Sequence, residues 1–446
     1  MRDGLCRRLC LRATKEHTCL PTFVQRFRHR QNAWWQYVFL SITGFQSSYF
    51  IGVIGTLTYA DGASVAFTST AVLLMNIFVI LGSFAGGSAL DAWGPRRHYL
   101  TNVFGVLVVG CVLAFFGHAT MAVLAGAALL GFMIGYSQVA ATSYPAYLSS
   151  DPSELKAINS VLTTLSNVSI IVGPILGGFV AAVGSSLAVF PLMMVFAALS
   201  LIPGWGFRPQ MASAQSDTAA HEKTDGEDGG AHASFAMSIK TVFTNTLLLL
   251  LFVIMFLTNF GYGAFDPLES FFYRDVLHVG VEWMGWLSSA SGVGAVVGAL
   301  LVLRMSARLV NLKTLLVALA AMGLGSLVYV GTPYVAVALV GQIALGVAWG
   351  VIHPLHNTIV QTTAPLEQLG RVNSVMSFGN MFAGVAPLVV APWLAARFGV
   401  QSTLVGAACI VAAVPMVLLL CGHRYLGRVA TMEADANSAA RTKTRA

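Results

Sequence analysis

A helix crosses a hydrocarbon core with roughly 20 consecutive apolar residues, and this chain holds twelve stretches of that kind. They run at approximately 35–59, 65–90, 98–117, 119–147, 155–182, 186–206, 242–265, 282–304, 312–331, 333–362, 370–396 and 400–422, numbered below as spans 1 to 12. Only 10% of the 446 residues are charged, where a soluble domain carries about a quarter. Lipid gives the backbone no hydrogen-bond partners, so each stretch is expected to be a helix. The fold class that follows is an all-α membrane protein of twelve transmembrane helices. Its function lies in what passes between them.

Twelve spans put both termini on one side. Of the 25 Lys and Arg residues, all but Arg274 and Arg397 fall in the N-terminal tail, the loops that follow even-numbered spans, or the C-terminal tail. Positive charge stays cytoplasmic, so both termini are expected inside the plasma or inner membrane. The net charge of +7 is then topological. Its dispersal among loops excludes a nucleic-acid-binding patch. The basic tail, residues 1–33, lacks the apolar core and cleavage site of a signal peptide, and span 1 serves as its own insertion signal. Cys6, Cys10 and Cys19 in this tail, with His17 nearby, match no standard zinc spacing and read as unpaired thiols. Cys111, Cys409 and Cys421 lie inside spans as small packing residues. No metal and no cofactor is expected.

The chain is built twice. A polar, acidic stretch at 207–240 cannot bury a core and reads as a cytoplasmic linker. It separates a six-helix bundle at 34–206 from a second at 241–425, with a tail at 426–446. Motifs on the two sides match at a nearly constant offset. Gly131 and Gly135 pair with Gly346 and Gly350, Pro152 with Pro365, Asn159-Ser160 with Asn373-Ser374, and Pro174 with Pro387. A parallel repeat of six-helix halves is a transporter architecture with its site near the midplane between halves.

Polar residues mark the spans that face such a site. Spans 3, 6, 9 and 12 have almost none in their middles. The others carry Gln46, Asn76, Gln138, Asn167, Asn259, Gln342, Asn357 and Asn380. Polar groups in lipid are costly, so these face a cavity or another helix. Tyr262 and Trp349 are aromatic candidates for the same cavity, as are Tyr136, Phe260 and Trp286, with Met75 and Met381 as further apolar ones. Sparse polarity among aromatics suits hydrophobic or amphipathic ligands.

Two motifs resemble a known family. Span 2 ends in GGSALDAWGPRRHYL, which is similar to the signature loop of the major facilitator superfamily through Gly87, Asp91, Gly94, Arg96 and Arg97. A second copy, GALLVLRMSAR, keeps Gly298, Arg304 and Arg308 without the acid. Span 5 carries VGPILGG, whose Gly173, Pro174, Gly177 and Gly178 resemble the Gly-Pro antiporter motif of that family's drug exporters. YPAYLSSDPSELKAINS and QTTAPLEQLGRVNSVMSFG are similar to its enterobactin-exporter and macrolide-efflux branch. The resemblance implies two six-helix bundles working by alternating access. It also implies that Asp91 bridges to the start of span 11, at Gly370 and Arg371, as a conformational gate. Independently of it, Gly94 permits a tight turn, and an acid at the end of span 2 is placed to cap a helix start or pair with Arg97. Span 4, GFMIGYSQVAATSYPAYL, lacks the Arg that many proton-coupled members carry there.

Other groups must then handle protons. Asp266 and Glu269 are three apart near the outer end of span 7, hence on one face if the helix continues. A carboxyl away from water takes and releases protons nearer neutrality. His353 and His356 are three apart in the inner half of span 10, around Pro354. Histidine titrates in the right range. The function that follows is a secondary active transporter, a proton-coupled exporter of hydrophobic or amphipathic compounds, functional as a monomer in the bilayer. The alternative is a transporter for one polar metabolite or siderophore, including uptake by symport. A polar or anionic ligand would favour Arg or Lys in mid-membrane, and no span holds one there. No catalytic constellation is apparent within the bilayer, and no Walker glycine loop is present.

Overall fold

The computed structural model describes residues 49–59, 63–144, 152–206, 239–306, 309–364 and 369–421. Gln46, the tail cysteines, most of the expected linker and the C-terminal tail lie outside these residues, as do the side chains of Asp91, Asn167 and Arg371.

Every regular element among the described residues is helical. Ten helices are long and apolar enough to cross a membrane: Val65–Leu90, Ala92–Phe116, Thr120–Gln138, Ser186–Pro203, Thr246–Asp275, Glu282–Arg304, Leu312–Val330, Val335–Thr363, Val375–Phe398 and Val400–Leu420. Two shorter apolar segments, Tyr49–Tyr59 and Ile171–Val183, fall where spans 1 and 5 were expected. Their order matches the twelve spans read from hydropathy.

Two boundaries differ from the expected ones. Spans 2 and 3 are joined without an intervening loop, as a single stretch Val65–Phe116 broken only at Gly94 (φ 75°, ψ 167°). That conformation excludes ordinary L-residues, so one glycine makes the whole reversal. Span 7 runs past its expected end at 265. Thr246–Tyr262 leads into Phe265–Asp275 through Gly263 and Ala264, which keep right-handed helical backbone angles. Hydropathy hid the second piece because it carries four charged residues, Asp266, Glu269, Arg274 and Asp275.

Glycines set the closest helix pairs, and they do so twice. A Cβ at Gly82 would lie 2.0 Å from the Phe132 carbonyl oxygen, and one at Gly86 would lie 2.7 Å from that of Tyr136. From the other side, Gly131 and Gly135 press on the Met75 and Val79 carbonyls at 2.3 and 1.9 Å. Spans 2 and 4 therefore meet backbone to backbone. Spans 8 and 10 repeat the device. Gly294 and Gly298 meet the Ile343 and Val347 carbonyls at 2.3 and 2.1 Å, and Gly346 and Gly350 meet those of Ser291 and Ala295 at 2.0 Å each. Small residues at such spacing let helices approach where lipid supplies no hydrophobic drive.

The two halves meet along spans 5 and 8 and where span 11 packs on the joined stretch of spans 2 and 3. One apolar cluster of buried residues runs through both halves at the end carrying residues 57, 181, 277 and 281, the outer end in the expected topology. A second cluster lies within the second half alone, built on Leu248, Leu319, Ile352 and Met376.

The zippers give a direct prediction. Gly135→Ala and Gly346→Ala each place a methyl inside a carbonyl contact, with overpacking expected to cost about 1–3 kcal/mol. Gly406→Ala meets nothing within 4 Å. Thermal unfolding of the detergent-purified protein is expected to show lower midpoints for the first two and none for the third; equal midpoints for all three would refute the zipper reading.

Candidate functional site

The second half of span 7 collects most of the site. Gly263 ends the first piece, and a Cβ there would lie 2.4 Å from the Gly384 carbonyl of span 11. The chain restarts with Asp266 in the first turn of Phe265–Asp275. Asp266 and Glu269 share that helix, one turn apart, as their spacing required. Asp266 is exposed, whereas Glu269 is half-buried and bound. Its Oε1 accepts from the Tyr329 hydroxyl of span 9 at 2.6 Å and from Gln342 Nε2 of span 10 at 2.9 Å. The hydroxyls of Tyr329 and Tyr273 lie 2.8 Å apart, extending the chain back to the same helix. Arg274 does not pair with either acid. Its Nε and Nη2 grip Asp275 at 2.6 and 3.0 Å, and its carbon centre sits 4.8 Å over the Phe271 ring.

Span 10 continues the site along one face. Gln342, Gly346, Trp349, His353 and His356 recur at alternating steps of four and three, the spacing of a single helical stripe. From Gln342 to His356 that stripe covers about 21 Å. The Trp349 and His353 rings meet edge-on at 4.4 Å, and Tyr262 of span 7 approaches Trp349 at 6.4 Å. Tyr262 also hydrogen-bonds Ser326 of span 9. His353 is exposed, while His356 is buried with Nε2 left without a partner. The helix runs through Pro354 without interruption.

The other polar candidates divide into two groups. Asn259 donates to Asn380 at 3.4 Å, joining spans 7 and 11. It also donates to the Met255 carbonyl one turn back, at 2.8 Å. Asn76 is satisfied within its own helix by the Val72 carbonyl at 2.9 Å. Gln138 and Asn357 are exposed. Tyr136 does not face a shared cavity: its ring stacks on His98 of span 3 at 4.1 Å, nearly parallel. An apolar cavity of about 420 Å³ lies among spans 7, 11 and 12, lined by Phe260, Gly261, Pro387, Ser402 and Gly406 among others. None of the polar candidates lines it.

The antiporter-like motif sits on the seam between halves. A Cβ on Gly285 of span 8 would lie 2.3 Å from the Pro174 carbonyl, and one on Gly178 would lie 2.8 Å from that of Glu282. Ser289 donates to the Ile171 carbonyl at 2.7 Å. Gly173 and Gly177 are buried beside them. Around the signature motif, Arg96 and Arg97 are exposed, Pro95 is buried, and Gly87 has open space where a Cβ would project.

Several polar groups escaped sequence reading, among them the Tyr329 and Tyr273 hydroxyls beside Glu269. Thr58 and Ser270 hydrogen-bond at 2.8 Å across the two halves, both fully buried. Isolated hydroxyls inside apolar helices carry no pattern that announces a contact 212 residues away. His98 is fully buried and bonds the Tyr144 hydroxyl at 2.8 Å through Nδ1. Its place at the expected start of span 3, directly after two arginines, gave no sign of that enclosure.

The chain matches the family model of the Major Facilitator Superfamily over residues 37–387 and again over 251–441. It is 25% identical to the multidrug efflux pump Tap of Mycobacterium tuberculosis over 345 residues, covering 75% of this chain and 79% of that protein. It is 26% identical to the multidrug efflux pump Tap of Mycolicibacterium fortuitum over 369 residues, 80% and 85% of the two chains. Among solved structures, the peptide transporter POT in complex with sulfate superposes with a TM-score of 0.64 at 13% identity, covering 88% of this chain and 95% of that one. The nucleoside transporter NupG does so at 0.63 and 14%, covering 88% and 99%. At those identities the likeness is one of fold.

The tight seam of spans 5 and 8 is open to test. Gly285→Val drives a branched side chain into the Pro174 carbonyl and parts the helices. Ser289→Cys, nearly inaccessible in the parent background, is expected to become labelled by a polar thiol reagent once Gly285→Val is added. Unchanged labelling would show that the seam tolerates the bulk.

Proposed function

We propose that this chain, which belongs to the major facilitator superfamily, exports hydrophobic or amphipathic small molecules in exchange for protons. The observation that carries the proton half is Glu269. It is an acid held by a tyrosine and a glutamine from two other spans, in a chain with few charges inside its helices. Asp266, one turn away and exposed, is its partner in proton uptake. His353 and His356, on the span 10 stripe that begins at Gln342, pass the proton inward. The export half draws on the resemblance to multidrug efflux pumps and on the aromatic lining from Tyr262 and Trp349.

Alternating access assigns the remaining parts. The halves touch at the end carrying residues 58, 178, 274 and 285, so the site opens toward the other end, the cytoplasmic one in the proposed topology. Gly87, Asp91, Gly94, Arg96 and Arg97 form the gate at the inner side, with Asp91 reaching span 11 when the halves close there. The stretch at 207–240 is a tether, and the transporter works as a monomer with both termini inside the cell membrane.

Reconstitution tests this. In proteoliposomes with an imposed pH gradient and a fluorescent lipophilic cation as substrate, Asp266→Asn combined with Glu269→Gln is expected to abolish gradient-driven accumulation while substrate binding persists. Accumulation at the parent rate would make the carboxylates structural. Asp91→Asn removes charge-assisted bonds worth about 1.5–3 kcal/mol each. It is expected to cut transport with normal membrane insertion, and parent-level transport would remove Asp91 from the gate.

A further inference from the structure

The helix Phe265–Asp275 touches both halves of the molecule, and it does so with neighbouring residues. Glu269 points to Tyr329 and Gln342 in its own half. Ser270, next in sequence and turned about 100° around the axis, bonds Thr58 of span 1 in the other half at 2.8 Å. One turn on, Arg274 Nη1 donates to the Thr58 carbonyl. The Asp275 carboxylate occupies the other guanidinium nitrogens and holds the group in that aim. Beside this contact the Tyr59 hydroxyl donates to the Val279 carbonyl at 3.1 Å. Thr58 is thus gripped by side chain and backbone alike, at the last turn of the described span 1 helix.

We propose that this helix is a lever that transmits the charge of Glu269 to the outer seam, with Ser270 and Arg274 as the positioning residues that hold the seam shut on Thr58. The inference rests on the reading of Glu269 as a proton site. Its mechanics follow from three features. An ionised carboxylate only accepts, and here Oε1 takes two donors at once. Protonation turns one oxygen into a donor, and neutral bonds are about half as strong as charge-assisted ones. The fixing of the helix against spans 9 and 10 therefore changes with the proton. The helix is also anchored at its start, where Gly263 sits on the Gly384 carbonyl. Finally, eleven residues make a stiff rod of about 16 Å, so a shift at Glu269 is carried to Ser270 and Arg274.

The surroundings of Glu269 are consistent with a switch of this kind. On its own helix it faces Asp266 and Tyr273, from the first piece of span 7 Tyr262, and from span 9 Tyr329. Span 10 contributes neutral Gln342. Tyr59 of span 1 faces Tyr273 from the seam side. Spans 1, 8, 11 and 12 and the joined stretch of spans 2 and 3 pack on the helix; span 8 brings the Glu282 carboxyl near Tyr59, and the buried apolar cluster there includes Val72, Leu388 and Leu404.

The test is a distance measurement on the full chain in lipid nanodiscs. Spin labels on His118→Cys and Tyr334→Cys, in a background with the native cysteines replaced, report the gap between the outer tips of the two halves. Both positions are exposed. In the parent the distribution is expected to shift between alkaline and acidic medium. Glu269→Gln is expected to lose that shift. Ser270→Ala with Arg274→Gln is expected to lose it as well and to stay at the wide distance at every pH. Arg274→Lys, which keeps a donor, is expected to restore part of the response. If the Ser270→Ala, Arg274→Gln protein responds to pH as the parent does while Glu269→Gln does not, the lever is wrong and the proton site stands. If Glu269→Gln itself keeps both the parent's shift and gradient-driven transport, the proton site fails and takes the lever with it. A parent distribution that does not move with pH also overturns the proposal.

Discussion

Backbone contact between helices is the constraint on which the rest of this structure depends. In lipid, helices gain nothing from burying leucine against leucine, because the tails are equally apolar. Association relies instead on close packing, and close packing relies on residues without side chains. The four glycines joining spans 2 and 4 and the four joining spans 8 and 10 meet carbonyl oxygens at distances no Cβ could share. These two pairs are the fixed frames of the two halves. The constant offset between Gly131 and Gly346, and between Gly135 and Gly350, is the sequence trace of that shared frame. The repeat is conserved between halves in the places where helices must touch.

The same constraint sorts the polar residues. Asn76 and Asn259 were equally visible as polar groups in apolar helices, yet their roles differ. Asn76 folds back on the Val72 carbonyl one turn earlier and needs no neighbour. Asn259 does the same and also reaches Asn380. A side-chain amide can be satisfied locally, so its presence in a span says little about what it faces. A carboxylate has no donors to offer its own helix carbonyls, and it must find donors elsewhere. Glu269 finds them on spans 9 and 10. That difference in chemistry is why the acids of span 7 were the more informative signal.

The span boundaries were legible because hydropathy measures the same length that the bilayer imposes. The turn at Gly94 was legible because glycine followed by proline and two arginines admits few structures. Contacts between distant segments were not. Nothing in an isolated threonine at 58 and serine at 270 says that they meet, and His98, beside two arginines, gave no hint that it is enclosed by Tyr136 and Tyr144. The charged second piece of span 7 was cut short by the same hydropathy that found the other spans. A helix protected by protein on most sides tolerates charge that a lipid-facing helix does not. The error therefore fell on the segment with the most chemistry.

A transporter's seam between halves must hold and also release, and the composition of this one suits both. Beside the apolar cluster that both halves share at this end, polar and small-residue contacts cross it: Thr58 with Ser270, Arg274 with the Thr58 carbonyl, Tyr59 with the Val279 carbonyl, Ser289 with the Ile171 carbonyl, and Gly285 against Pro174. Hydrogen bonds between helices in membranes average about 0.6 kcal/mol and reach about 1.7. Four of them amount to a few kcal/mol. One unit of pH acting on one proton is worth about 1.4 kcal/mol. The two quantities are of the same order, so a seam built this way sits within reach of a single proton. The glycine frames within each half bring backbone against backbone along two whole helix pairs, whereas the seam between the halves does so only where Gly178 and Gly285 meet.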